Sequence, residues 1–114
     1  MMLGMTLSPF ELITINFPFS DLSKSKQRPV VVLTTPDQNG DFICLAVTSN
    51  PGHPDSIRID QADLRSGTLP KTSFARADKI YTLHISLIRY RVGALNDTKA
   101  QNIKFAYCSK IGCR

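Results

Sequence analysis

The run Arg28-Pro-Val-Val-Val-Leu33, followed by Asn39-Gly40 and a second apolar run from Asp41 to Thr48, constrains this chain more than any other feature. Pro29 fixes its own φ and restricts Arg28 before it to extended backbone. The unbroken apolar run from Val30 to Leu33 reads as a strand covered on both faces, because a strand with one wet face would alternate. Asn39-Gly40 is a hairpin signal, since both residues tolerate positive φ. The spacing predicts two antiparallel strands, Pro29–Thr35 and Asp41–Thr48, entered through a polar loop from Pro18 to Gln27 that carries Lys24 and Lys26. Arg28 is then a permanent cation at the mouth of a rigid element, where a phosphate-handling group is useful.

The remaining pattern is also mostly strand. Glu11 to Phe17 alternates, with Leu12 or Ile13 opening the period. Ser56–Asp60, Ser73–Tyr81 and Leu87–Val92 complete the set, with a single turn around His84-Ile85-Ser86. Ser49–Pro54, Ser66-Gly67 and Pro70 read as loops and turns. Only the tail is helical by pattern: Asn96 or Asp97 can cap, and Ala100, Ile103, Ala106, Tyr107 and Ile111 recur at helical spacing. The expected fold is mainly β, a compact barrel closed by one C-terminal helix.

At 114 residues the chain is long enough for one core, so residues 1–114 are read as a single domain. Its composition is ordinary for a globular protein, with 42% hydrophobic and 20% charged residues. The net charge of +5 suits an anionic partner such as nucleic acid or an acidic peptide, although solubility alone is an equal explanation. Cys44 reads as a small core residue. Cys108 and Cys113 have no framework spacing and no neighbouring His or further Cys to complete a metal site, so no metal or cofactor is expected. This cysteine usage favours a reducing, cytoplasmic compartment. The N-terminus lacks the basic and apolar regions of a secretory signal, and no segment is apolar over enough length to span a membrane.

Three polar sites fall at strand ends. Arg28 enters the second strand, Thr48 and Ser49 leave the third and return beside it, and Arg76 and Asp78 share one face of a later strand. Cleaving RNA without a metal requires a base for the 2′-OH, an acid for the leaving 5′-oxygen and donors for the phosphate oxygens. Arg28 and Arg76 suit the donor role, Thr48 suits a phosphate oxygen, and Asp78 suits a base or a carboxylate that orients an arginine. The bland alternative is a surface ion pair and a threonine that merely ends a strand. His53, in the P-G-H-P loop, could touch the substrate, with a solvent-exposed loop histidine the default, and His84 reads as a turn or core-edge residue. Tyr81, Tyr90, Phe19 and Phe74 are candidates to stack a base, with packing the default for each.

The series F-P-F-S-D-L-S-K-S-K-Q-R-P-V-V-V-L, A-V-T-S-N, L-P-K-T-S-F-A-R-A-D-K-I and R-V-G-A-L resembles the MazF/PemK family of toxin ribonucleases over roughly residues 10–111. The resemblance implies an SH3-like barrel of six or seven strands with a C-terminal helix, and a homodimer. It also implies the toxin half of a bacterial type II toxin–antitoxin pair. Such toxins cut single-stranded RNA at short sequences without a metal, leaving 2′,3′-cyclic phosphate and 5′-OH ends. By position the family's catalytic residues fall on Arg28, Thr48, Arg76 and Asp78. Lys24, Lys26 and Ser49 are assigned to RNA binding. Some members carry a histidine or glutamate in the loop before the arginine, where this chain has lysines. Arg28 is assigned to phosphate stabilisation with proton donation as a second role, and Asp78 to the base, because a guanidinium is a poor base. The implied partners are single-stranded RNA and an acidic antitoxin, with DNA engaged only through that antitoxin. Two further readings use the same barrel: a protein-poisoning module resembling the gyrase-inhibiting toxins, and a non-catalytic nucleic-acid-binding module.

Overall fold

A computed structural model describes residues 6–17 and 26–113. Its strands form one antiparallel sheet: β1 (Glu11–Phe17), β2 (Lys26–Val32), β3 (Asp41–Thr48), β4 (Ser56–Ile59), β5 (Leu64–Gly67), β6 (Ser73–His84) and β7 (Ile88–Leu95), in the order β4-β6-β3-β2-β1-β7-β5. Short 3₁₀ turns at Gln61–Asp63 and Ile85–Leu87 connect strands, and the helix α1 (Asp97–Ile111) follows β7. The architecture is mainly β, a seven-stranded sheet curled into a half-barrel with one C-terminal helix.

The sheet is buried on both faces. Ile13, Ile15, Val30, Val32, Phe42, Cys44 and Leu83 pack on one side with Leu7 and the 3₁₀ turn residues Ile85 and Leu87. Leu12, Val31, Leu45, Val47, Ile59, Ala75 and Leu95 pack on the other with Ile103 of α1. Alternate residues of β2 therefore serve two cores, which is why Val30 to Val32 lack the polar alternation of a half-wet strand. Asn96 caps the helix, its side chain accepting from Lys99 N, and Gly112 closes it in the left-handed region.

Several boundaries differ from expectation. β2 spans Lys26–Val32 rather than Pro29–Thr35, because Lys26 and Gln27 pair with Phe17 and Asn16 of β1. Arg28 thus sits inside a strand, not at its mouth. The β2–β3 hairpin is antiparallel as expected, but of its two turn residues only Gly40 has positive φ (85°). Asp37 shapes the turn instead: its carbonyl accepts from Gly40 N at 2.9 Å, and its carboxylate from Asn39 N and Asp41 N at 2.9 and 3.0 Å. Ser66-Gly67, expected as a turn, instead ends an edge strand, Leu64–Gly67, that pairs with β7. Ile111, expected on the packed face of the helix, is 59% exposed. Cys108 and Cys113, whose lack of framework spacing fits a reducing compartment, instead form a disulfide, because the left-handed turn at Gly112 folds the chain end back over the last helical turn.

Candidate active site

The sheet forks beside Arg28. β2 and β3 pair only over Val30–Val32, against Ala46, Leu45 and Cys44. Beyond the fork, Lys26 to Pro29 continue on β1, whereas Val47 and Thr48 continue on β6. The β3–β6 ladder is itself irregular at this level. Val47 faces Ala75 and Leu45 faces Ile80, so Ala46 alone stands opposite Arg76, Ala77, Asp78 and Lys79. Such a bulge re-aims side chains that a regular ladder would hold in the sheet's own pleat.

A cavity of about 320 Å³ occupies the fork. Arg28, Pro29 and Val30 form one wall, and Ala46, Val47 and Thr48 the other; Asn50, His53, Arg76, Lys79, Tyr81 and Phe17 complete the lining. Thus Arg28, Thr48 and Arg76, far apart in sequence, share one concavity. Phe17 and Tyr81 meet edge to face there with ring centroids 5.0 Å apart.

Arg76 and Asp78 form a bidentate pair. Arg76 Nε donates to Asp78 Oδ1 at 2.9 Å and Nη2 to Oδ2 at 2.8 Å. Both side chains are half-buried. The guanidinium donors hold the Asp78 carboxyl below the ordinary carboxylate range, and the carboxylate in turn raises Arg76. Asp78 does not itself line the cavity; it stands behind Arg76 and fixes the plane of its fork. Thr48 Oγ1 accepts from Asn50 N at 3.1 Å, which leaves its own O–H to donate. Arg28 is exposed and makes no ion pair with any described residue.

Of the residues assigned to RNA binding, Lys26 is exposed at the start of β2 and outside the cavity lining, and Lys24 lies outside the described residues. Ser49 is exposed and does not line the cavity; its neighbour Asn50 does. His53, expected by default as a solvent-exposed loop histidine and alternatively as a substrate contact, is half-buried in the lining. Lys79 and Asn50 also line it, although the R-x-D pattern and the loop composition marked neither. The bulge that turns Lys79 toward the fork depends on pairing between distant strands. Among the described residues, no three His, Cys, Asp or Glu side chains cluster as a metal site, and no helix is long and apolar enough to cross a membrane.

A sequence model described as the PemK-like, MazF-like toxin of type II toxin–antitoxin systems matches residues 8–108. No curated protein sequence matches the chain. Several solved structures share its fold. The MazF of a MazE–MazF crystal structure from Deinococcus radiodurans superposes with a TM-score of 0.76 at 18% identity, over 95% of this chain and 98% of that one. A MazF crystal structure from the same organism gives 0.70 at 19% identity, over 96% and 99%. An endoribonuclease in complex with its cognate antitoxin from a mycobacterial species gives 0.71 at 15% identity, over 95% and 97%.

Proposed function

Because the chain belongs to the PemK-like, MazF-like toxin family of type II toxin–antitoxin systems, we propose that it is a sequence-selective endoribonuclease that cuts single-stranded RNA without a metal. It leaves 2′,3′-cyclic phosphate and 5′-OH ends, acts in the cytoplasm as a homodimer, and is silenced by an acidic antitoxin segment.

The observation that carries this reading is the convergence of Arg28, Thr48 and Arg76 on one cavity at the fork. Two guanidiniums and a hydroxyl suit a phosphodiester, whose non-bridging oxygens gain charge as the 2′-oxygen attacks. Planar guanidinium forks match a phosphate in paired contacts that an ammonium does not reproduce. Asp78 fits the orienting role better than the base. Both of its oxygens already accept from Arg76, and its depressed pKa makes it a weaker proton acceptor. Holding Arg76 in one rotamer before substrate arrives lowers the cost of organising the site in the transition state.

The test is direct. Purified protein incubated with single-stranded RNA in excess chelator yields defined fragments, and their ends are mapped chemically. We expect cyclic-phosphate and 5′-OH termini at a short common sequence, and Arg28→Ala abolishes them while keeping the native melting profile. A well-folded sample that cleaves no RNA overturns the reading. Binding RNA with a steep salt dependence but never cutting it would instead identify a nucleic-acid-binding module.

A further inference from the structure

Transesterification needs a group that accepts the 2′-OH proton, and the residues proposed to hold the phosphate supply it poorly. Arg28 and Arg76 are guanidiniums, cationic across the physiological range. Asp78 is held by Arg76 through both oxygens. Of the other polar lining side chains, Thr48, Asn50, Lys79, Tyr81 and His53, only an imidazole ordinarily gains and loses a proton near neutral pH.

We propose that His53 is the general base of the cleavage reaction, presented from the β3–β4 loop in place of the imidazole that this chain lacks in its β1–β2 loop. The inference rests on the ribonuclease reading above.

The loop that carries His53 is tied at both ends and to two other elements. Thr48 Oγ1 accepts from Asn50 N at its start. The His53 carbonyl accepts from Ser56 N at 3.2 Å and from Ser56 Oγ at 2.7 Å. The Asp55 carbonyl accepts from Ala77 N of β6 at 2.9 Å, and the Asp55 carboxylate pairs with Lys110 of α1 at 3.0 Å. Pro51 and Pro54 stiffen the stretch between. A ring on so constrained a loop reaches the substrate with little entropy left to lose.

The two histidines of the chain are committed differently. His84 uses both ring nitrogens, Nε2 with the Asn39 carbonyl at 2.9 Å and Nδ1 with Ser86 Oγ at 2.9 Å, and so serves the fold. No described residue hydrogen-bonds the His53 ring, whose half-buried position in the cavity leaves its nitrogens for a ligand. The charged and titratable groups sharing the cavity with His53 are Arg28 on β2 and Arg76, Lys79 and Tyr81 on β6; Asp55, on the same loop, is outside the lining and pairs with Lys110.

In the step this geometry serves, a His53 ring nitrogen takes the 2′-OH proton as the 2′-oxygen bonds to phosphorus and the bond from phosphorus to the 5′-oxygen breaks. The departing alkoxide is more basic than a guanidine and takes its proton from Arg28. Arg28 recovers a proton from water and the His53 imidazolium releases one, so the enzyme ends unchanged.

Single-turnover cleavage of an RNA oligonucleotide between about pH 5 and 8 tests this. The wild-type rate is expected to climb with pH and then level, whereas His53→Gln loses the climb and falls by about 10²–10⁴-fold. Affinity for the same oligonucleotide carrying a 2′-deoxy nucleotide at the cut site changes by less than about twofold, as expected for a group acting on the proton in flight. Added imidazole restores cleavage to His53→Ala. A folded His53→Gln variant with the wild-type rate and pH profile overturns the proposal but leaves the ribonuclease reading standing. A loss of affinity for the deoxy oligonucleotide as large as the loss of rate also overturns it, reducing His53 to a binding residue. If the wild-type protein cleaves nothing, the ribonuclease reading fails first.

Discussion

Arg76 and Asp78 are joined through two hydrogen bonds, so substituting either changes the other's position and charge. Asp78→Asn keeps one acceptor but sets an amide N–H₂ against a guanidinium donor, which frees Arg76 to rotate. We expect cleavage to slow by about tenfold to 10²-fold, the scale of a misplaced positioning group, with the pH profile retained. The stability effect has a definite sign. The folded state lowers the Asp78 pKa, so the pair's contribution is fully present above the ordinary aspartate range and is lost as pH falls through the depressed value. Urea midpoints of wild type and Asp78→Asn should differ modestly at pH 7 and converge in strong acid. The shared face of Arg76 and Asp78 was legible from their spacing, because a two-residue period needs no tertiary information. His53 was not, since burial of a loop side chain depends on strands β3, β4 and β6 that meet only in the fold.

At the level of elements, β5 and β7 approach each other closely through glycine. A Cβ at Gly93 would collide with the Ser66 carbonyl oxygen, and one at Gly67 with that of Val92. Gly93→Ala should destabilise the fold by about 1–3 kcal/mol, the cost of overpacking against backbone that cannot swing aside, as measured by chemical denaturation. This pairing also explains why β5 escaped the sequence pattern. Its residues are largely exposed, and what holds it is backbone approach through glycine rather than an apolar stripe. The helix was easier to read, because Asn96 and the Ala100–Ile103 spacing are local signals. Asn96→Ala should cost about 1 kcal/mol. The apolar pattern overran at Ile111, which is exposed at the end of the helix. The Cys108–Cys113 bond closes only this outer turn, beyond the buried Ala100 and Ile103. Reduction should therefore quicken amide exchange in the last turn while leaving the unfolding midpoint of the sheet nearly unchanged.

For the molecule as a whole, stability comes from a sheet enclosed by two cores, and Cys44 reports on one of them. Burial pushes its thiol up to about 12 from 9.0. The folded state thus favours the protonated form, a contribution fully present below pH 9.0 and lost as pH rises toward about 12. The stability difference between wild type and Cys44→Ala should shrink across that window, and thiol reagents should reach Cys44 only on unfolding. The barrel-like class was legible from short apolar runs and turn residues, whereas the fork was not, because it arises where β3 exchanges one neighbour for another. That fork has a thermodynamic consequence. Past Ala46 no backbone hydrogen bond ties β2 to β3, so an anion gripped by Arg28 and Arg76 becomes a strut between two arms that the ladder leaves separate. Occupancy and folding are then linked by mass action: inorganic phosphate should raise the melting temperature with the logarithm of its concentration, and Arg28→Ala should melt at a temperature indifferent to it.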